Sequence, residues 1–143
     1  MERVSAELPD VDLTEASAFV AASGFVVTEV GASRVAGHVD LGPDQHTPWG
    51  VVHGGVYCTV IESAASIGAS AAVLERGQFA VGVNNNTDFV RPMTTGRVDV
   101  VAEPIQQGRT LQLWQVVLTR ADDGKLVARG QVRLQNVKLP GGN

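Results

Sequence analysis

The run WGVVHGGVYCTVIESAASIGAS, Trp49 to Ser70, constrains the fold of this chain more than any other stretch. From Val56 onward its residues are apolar or small on nearly every face, the mark of a helix buried all round rather than one lying on a surface. Glu62 interrupts that pattern. No Lys or Arg occurs between Val51 and Leu74, so this carboxylate has no local counter-ion. Burying it costs on the order of several kcal/mol unless it is protonated, hydrogen-bonded or lining a cleft.

A helix apolar on all sides needs cover on all sides, and the rest of the chain reads as that cover. The long helix is expected to begin near His53 and to end around Arg76 and Gly77. Upstream, Thr14 followed by EASAFVAAS predicts a short helix with Thr14 as N-cap and Gly24 as its stop. Phe25 to Leu41, broken at Gly31, reads either as two strand halves or as one long strand with a bulge or turn. GPDQHTPWG, Gly42 to Gly50, is turn chemistry and must be a loop. Beyond Gly77, strands are expected over Phe79–Val90, Gly96–Glu103, Thr110–Ala121 and Lys125–Val137. Asp122-Asp123-Gly124 marks one hairpin turn between them and Gln107-Gly108 another.

The expected fold class is therefore α+β: a long central helix wrapped by a curled antiparallel sheet of about five strands. One domain should span residues 1–143, with residues 1–9 and 139–143 as flexible ends. Such a sheet covers the helix only partly, so the remaining face is closed either by the short helix and loops or by a second copy. A homo-oligomer is the expectation.

Composition removes several function classes. A formal net charge of -4 argues against nucleic-acid binding, and an aromatic content of 5% leaves no stacking platform for single strands. MERVSAELPD carries no signal-peptide pattern, and the central helix, with Glu62 and several serines, is too polar for a bilayer span. The single Cys58 excludes an internal disulfide and agrees with a reducing compartment, so a cytoplasmic, membrane-free protein is expected. The three histidines form no HExxH pattern, and no metal is expected.

The candidate chemistry lies on the long helix. Its start presents unpaired N–H groups and the positive end of the peptide dipole, so His53-Gly54-Gly55 can cradle a developing oxyanion. Glu62 lies about two turns further on, with Ser66 one turn beyond it on the same face. A carbonyl held between those amides and Glu62 can be attacked by the carboxylate, or by water that it deprotonates. Simpler readings stand beside these: Glu62 as a hydrogen-bonded core acid, His53 as a helix-start residue, Gly55 as a packing glycine and Cys58 as a small apolar filler. Likewise Arg91 and Arg109 read as solvated strand-end charges, Trp49 and Trp114 as core or interface residues, and Asn84–Asp88 as either a polar strand face or a pocket lining.

WGVVHGGVYCTVIES, AVGVNNNTDFVRP and GRTLQLWQV together resemble the hotdog-fold acyl-CoA thioesterases, over Gly42 to about Val137. The resemblance is greatest to the 4-hydroxybenzoyl-CoA thioesterase branch with a Glu on the central helix, near the phenylacetate-pathway thioesterases. It implies Glu62 as catalytic carboxylate, the Gly54 amide as donor to the thioester carbonyl, His53 as a positioning residue beside it and Ser66 as an assisting hydroxyl. It also implies that Arg91 and the Gly108-Arg109-Thr110 run hold the phosphates and pantetheine of coenzyme A, contributed across subunits, and that Gly82 lies at the acyl pocket and Gly55 at the substrate. Where close relatives carry Gln or Asn to orient the thioester or water, this chain has Thr47, with His46 or Gln45 as substitutes. The implied activity is hydrolysis of an acyl-CoA by a homodimer or homotetramer, with no cofactor beyond the substrate's own coenzyme, and the resemblance leans toward aromatic acyl groups. A hotdog hydratase or dehydratase and a non-catalytic acyl-CoA binding protein are the rival readings.

Overall fold

The computed structural model describes residues 17–140. Its strands are β1 (Phe25–Gly31), β2 (Arg34–Leu41), β3 (Gln78–Phe89), β4 (Gly96–Gln107), β5 (Leu111–Arg120) and β6 (Leu126–Lys138), and its α-helices are α1 (Ala18–Ser23) and α2 (Gly54–Val73). All six strands form one antiparallel sheet in the order β1-β2-β4-β5-β6-β3, curled around α2 but not closed. This is the hotdog arrangement. The sheet has six strands rather than about five because Phe25–Leu41 folds back on itself, pairing Gly31 with Arg34 and Phe25 with Val39. β4 runs on past the expected end at Glu103 to Gln107, and its register slips between Pro104 and Gln106, where a residue without an N–H is tolerated.

The expected N-cap at Thr14 lies outside the described residues, as do residues 1–9 and 141–143. Within the described chain Ser17 caps α1, accepting from the Val20 N–H at 3.3 Å, and Gly24 ends it in the left-handed conformation at φ 78°. Leu139, expected in a free tail, is still hydrogen-bonded, donating its N–H to the Gly77 carbonyl at 3.0 Å.

The core lies between α2 and the concave face of the sheet. Tyr57, Val60, Ile61, Ala64, Ala65, Gly68, Ala69 and Val73 form the buried stripe of α2. Opposite it are Val98 and Val100 of β4, Trp114, Val116 and Leu118 of β5, and Val132 and Leu134 of β6. Each large side chain so buried contributes about 1.5–3 kcal/mol. The close approach of helix and sheet depends on Gly68, where a Cβ would lie 2.4 Å from Cη2 of Trp114.

The helix is not buried all round. The sheet takes one side, while the other carries exposed Gly55 and Glu62 and half-buried Thr59, Ser63, Ser66 and Ser70. That open face is built of small residues, whose near-neutral hydropathy imitates a buried surface. Contrary to the sequence expectation, Gly54–Arg76 is by length and mean hydropathy (1.4) apolar enough to cross a bilayer. In the fold, however, its apolar stripe is covered by the sheet.

β3, an edge strand, runs along α2 in the opposite direction. Its inward positions meet the helix in turn: Phe89 lies against Gly54, Asn85 donates to the Cys58 carbonyl, Gly82 faces Glu62, and the Ala80 N–H donates to Ser70 Oγ. The parity changes midway. The β3–β6 register shifts between Gly82 and Asn84, so Ala80 and Gly82 point inward and then Asn85, Thr87 and Phe89 do, while Asn84, Asn86 and Asp88 point out.

Candidate active site

α2 starts where His53, extended at φ -67° and ψ 131°, turns the chain into the helix and accepts the Gly55 N–H on its own Nδ1 at 2.8 Å. That bond leaves the ring proton on Nε2. The Val56 N–H is bonded to the His53 carbonyl at 3.0 Å. By contrast, the Gly54 N–H has no acceptor among the described residues. It is a free donor at the positive end of the helix dipole. A side chain is disfavoured at this position, because a Cβ there would lie 2.5 Å from Cε2 of Phe89.

Glu62 stands on the open face about 12 Å further along the helix axis, at ~1.5 Å per residue. The expected buried anion is absent: in the single chain the carboxylate is exposed and has no hydrogen bond or ion pair among the described residues. Water solvates it, so no counter-ion is required. Its Oε1 lies 3.4 Å from where a Cβ would stand on Gly82, so the missing side chain lets the carboxylate approach the backbone of β3. Ser66, half-buried, continues the same face one turn on.

Two elements frame this face. Asn85 Nδ2 donates to the Cys58 carbonyl at 3.1 Å, and Thr87 Oγ1 donates to Asn85 Oδ1 at 2.6 Å. The Cys58 carbonyl is also the i−4 acceptor for the Glu62 N–H, so this pair ties β3 to the turn that carries the carboxylate. At the helix start, Phe89 packs on Tyr57 with ring centroids 5.9 Å apart. The Tyr57 hydroxyl is buried without a partner among the described residues, and burial pushes its pKa up to about 12. Between α1 and the start of α2 lies an apolar groove of about 280 Å³, lined by Phe19, Ser23, His53, Gly55, Val56 and Thr59.

The loop before α2 holds itself together with the side chains that the sequence offered for substrate orientation. Thr47 Oγ1 accepts the Trp49 N–H at 3.2 Å, Gln45 Nε2 donates to the Ser23 carbonyl at 2.8 Å, and a His46 ring nitrogen bonds the Thr94 carbonyl at 2.6 Å. The turn presents Trp49 at 89% exposure, which removes it from the core, whereas Trp114 is fully buried.

The remaining candidates do not converge in one chain. Arg91 is half-buried, with Nη1 donating to the Leu126 carbonyl at 2.7 Å, so it is more than a solvated strand-end charge. Gly108, Arg109 and Thr110 form the β4–β5 turn, with the two latter residues exposed. Gln112 ties that turn to the Ala69 carbonyl, about 10 Å beyond Glu62 along α2. The single chain thus aligns His53, Gly54, Gly55, Glu62, Ser66 and Gly82 and leaves Arg109 and Thr110 toward the far end of the helix. Among the described residues no cluster of three His, Cys, Asp or Glu side chains could hold a metal ion. Sequence reasoning left Asn85 undecided within Asn84–Asp88 and missed Tyr57 and Phe89 as elements of the site. Period-two counting could not have found Asn85, because the bulge reverses its face.

Comparison with known proteins bears on the fold and the family. The thioesterase superfamily matches residues 50–127. A candidate esterase of Mycobacterium tuberculosis is 49% identical over 117 residues, covering 80% of this chain and 83% of its own. Its structure superposes with a TM-score of 0.82 at 47% identity, over 86% of this chain and 98% of its own. A thioesterase structure from Haemophilus influenzae gives a TM-score of 0.81 at 29% identity, over 92% of this chain and 90% of its own. The 1,4-dihydroxy-2-naphthoyl-CoA thioesterase 2 of Arabidopsis thaliana is 36% identical over 100 residues, covering 68% of this chain and 62% of its own.

Proposed function

Because this chain belongs to the thioesterase superfamily, we propose that it hydrolyses an acyl-CoA to a carboxylic acid and free coenzyme A. The observation that carries the reading is the pairing of an unengaged Gly54 amide at a helix start with an unengaged Glu62 carboxylate on the same open face. The thioester carbonyl oxygen accepts from Gly54, whose dipole-assisted donor stabilises the negative charge of the tetrahedral intermediate. Glu62 attacks the carbonyl carbon or takes a proton from the water that does. On the base route the C–S bond then breaks and Glu62 returns its proton to the leaving thiolate. On the nucleophile route C–S cleavage leaves an acyl–Glu62 anhydride, which water hydrolyses to the acid and the free carboxylate, its proton going to the thiolate. His53 positions Gly54 by capping the helix, and Ser66 is within a turn of the attacking group. No cofactor is needed beyond the coenzyme carried by the substrate. We place the reaction in the cytoplasm.

A homodimer completes the site in this reading. β3 is an open edge with exposed Val81, Val83 and Phe89, the sort of surface a second copy covers. Gly54 and Glu62 lie equally far on either side of Cys58, the level at which Asn85 of β3 is attached. Antiparallel pairing of two β3 strands about that level sets Gly54 of one copy beside Glu62 of the other. It also carries a far-end Arg109 turn toward the opposite helix start. A sedimenting monomer at micromolar concentration would refute this arrangement. An aromatic acyl group fits the apolar surface of Phe89 and Tyr57 beside Gly54, and the Arabidopsis relative is named for an aromatic substrate.

The test is Glu62→Gln, expected to leave folding and binding of a coenzyme ester intact while reducing hydrolysis of benzoyl, hydroxybenzoyl, phenylacetyl and fatty acyl thioesters by at least about a hundredfold. Near-normal turnover in that variant overturns the assignment. A hydratase is disfavoured because His53 is already engaged at Nδ1.

A further inference from the structure

The β4–β5 turn is held from inside by one side chain. Asn136, 8% exposed, donates from Nδ2 to the carbonyls of Gly108 at 3.3 Å and Arg109 at 3.1 Å, and its backbone N–H donates to the Thr110 carbonyl at 2.8 Å. Three successive carbonyls are thus drawn toward one residue. In a trans peptide the N–H points away from the preceding C=O, and there is no cis bond among the described residues. The amides of Arg109 and Thr110 therefore face outward, and neither has an acceptor among the described residues. Consecutive outward amides beside a guanidinium form an anion-binding concavity. A cleft of about 320 Å³ opens beside them, lined by Gly108, Thr110, Leu111 and Arg133.

Asn136 is itself fixed. Its Oδ1 accepts from Gln112 Nε2 at 2.8 Å, that nitrogen also donates to the Ala69 carbonyl of α2 at 2.9 Å, and Gln112 Oε1 accepts from the buried Trp114 indole at 2.9 Å. A satisfied chain of buried polar groups runs from the helix to the turn. Such a network imposes one geometry, because any rearrangement strands a desolvated polar atom.

We infer that Asn136 is a positioning residue for phosphate recognition: by pulling the turn's carbonyls inward it holds the Arg109 and Thr110 amides outward for the phosphates of the substrate's nucleotide. This rests on the coenzyme A reading above. The experiment compares wild type with Asn136→Ala on an acyl-CoA and on the matching N-acetylcysteamine thioester, which lacks the nucleotide. Expected is a rise of about tenfold in KM for the acyl-CoA, with kcat and the KM for the short thioester unchanged. An equal rise for both substrates, or none, overturns the inference. Calorimetric titration with adenosine 3′,5′-bisphosphate supplies an arm independent of catalysis. Weaker binding to the variant supports the inference, whereas equal binding, or none to wild type, overturns it. Should wild type hydrolyse neither thioester, the hydrolase reading fails and the bisphosphate titration alone decides. Asn136→Ser replaces the alanine variant if circular dichroism shows the latter unfolded.

Discussion

Replacing Gly54 by alanine puts a methyl carbon 2.5 Å from Cε2 and 2.7 Å from Cζ of Phe89, where ordinary contact begins at 3.4 Å. The overlap is about 1 Å, deep in the repulsive wall of the contact potential. Backbone preference acts the other way, since alanine gains up to about 1 kcal/mol over glycine in a helix interior, and less at a first position. Overpacking typically costs about 1–3 kcal/mol. Phe89 is 56% exposed and can swing outward, though only by leaving Tyr57. The clash should therefore win modestly, with a net loss of about 1–2 kcal/mol. A double-mutant cycle isolates the cause: urea denaturation of wild type, Gly54→Ala, Phe89→Ala and the double variant, at one protein concentration. The alanine should cost close to nothing once the ring is gone. An equal loss in both backgrounds would refute steric contact with Phe89 as the reason for glycine here.

Gly68→Ala meets Trp114 at 2.4 Å, but that ring is fully buried and cannot move aside. Its cost should exceed that of Gly54→Ala, at about 3 kcal/mol or more, and a smaller loss by urea denaturation would contradict the packing described. Asp123 provides a pH test: hydrogen bonds from Arg120 and the Lys125 amide hold its carboxyl well below the ordinary 3.8. A depressed folded pKa stabilises above the unfolded value and loses that stabilisation as pH falls through the folded one. The melting-point difference between wild type and Asp123→Asn should hold steady from pH 7 to about 5 and shrink below about 4. A difference that grows on acidification would reverse the assigned sign.

Much of the sheet is legible because its strands alternate and its turns carry Gly and Asp, as at Asp122–Gly124. The same counting would have marked Asn136, which shares a parity with buried Val132 and Leu134, and Gln112, which shares one with Trp114, Val116 and Leu118. A polar residue on an inward parity is a sequence signal of a buried network. The open face of α2 is illegible for a different reason: Thr, Ser, Ala and Gly fit a buried or an exposed position equally well, so Glu62 looks enclosed when it is not. The loop roles of Gln45 and His46 depend on partners as distant as Ser23 and Thr94. No local pattern encodes those.

The extra residue at Val83 makes the length of β3 as consequential as its letters. Deleting it would remove the bulge and restore strict alternation with every facing unchanged: Gly82 would still sit opposite Leu134 and Asn85 opposite Val132, so Asn85, Thr87 and Phe89 would stay on the helix side. A second codon lost there would invert half a strand: a carboxylate would enter the greasy interior, and the ring would be stripped from the helix start. A homologue can rewrite almost every letter between Gly82 and Phe89, and can even drop the bulge, but it cannot lose two residues there and keep the ring over the helix start.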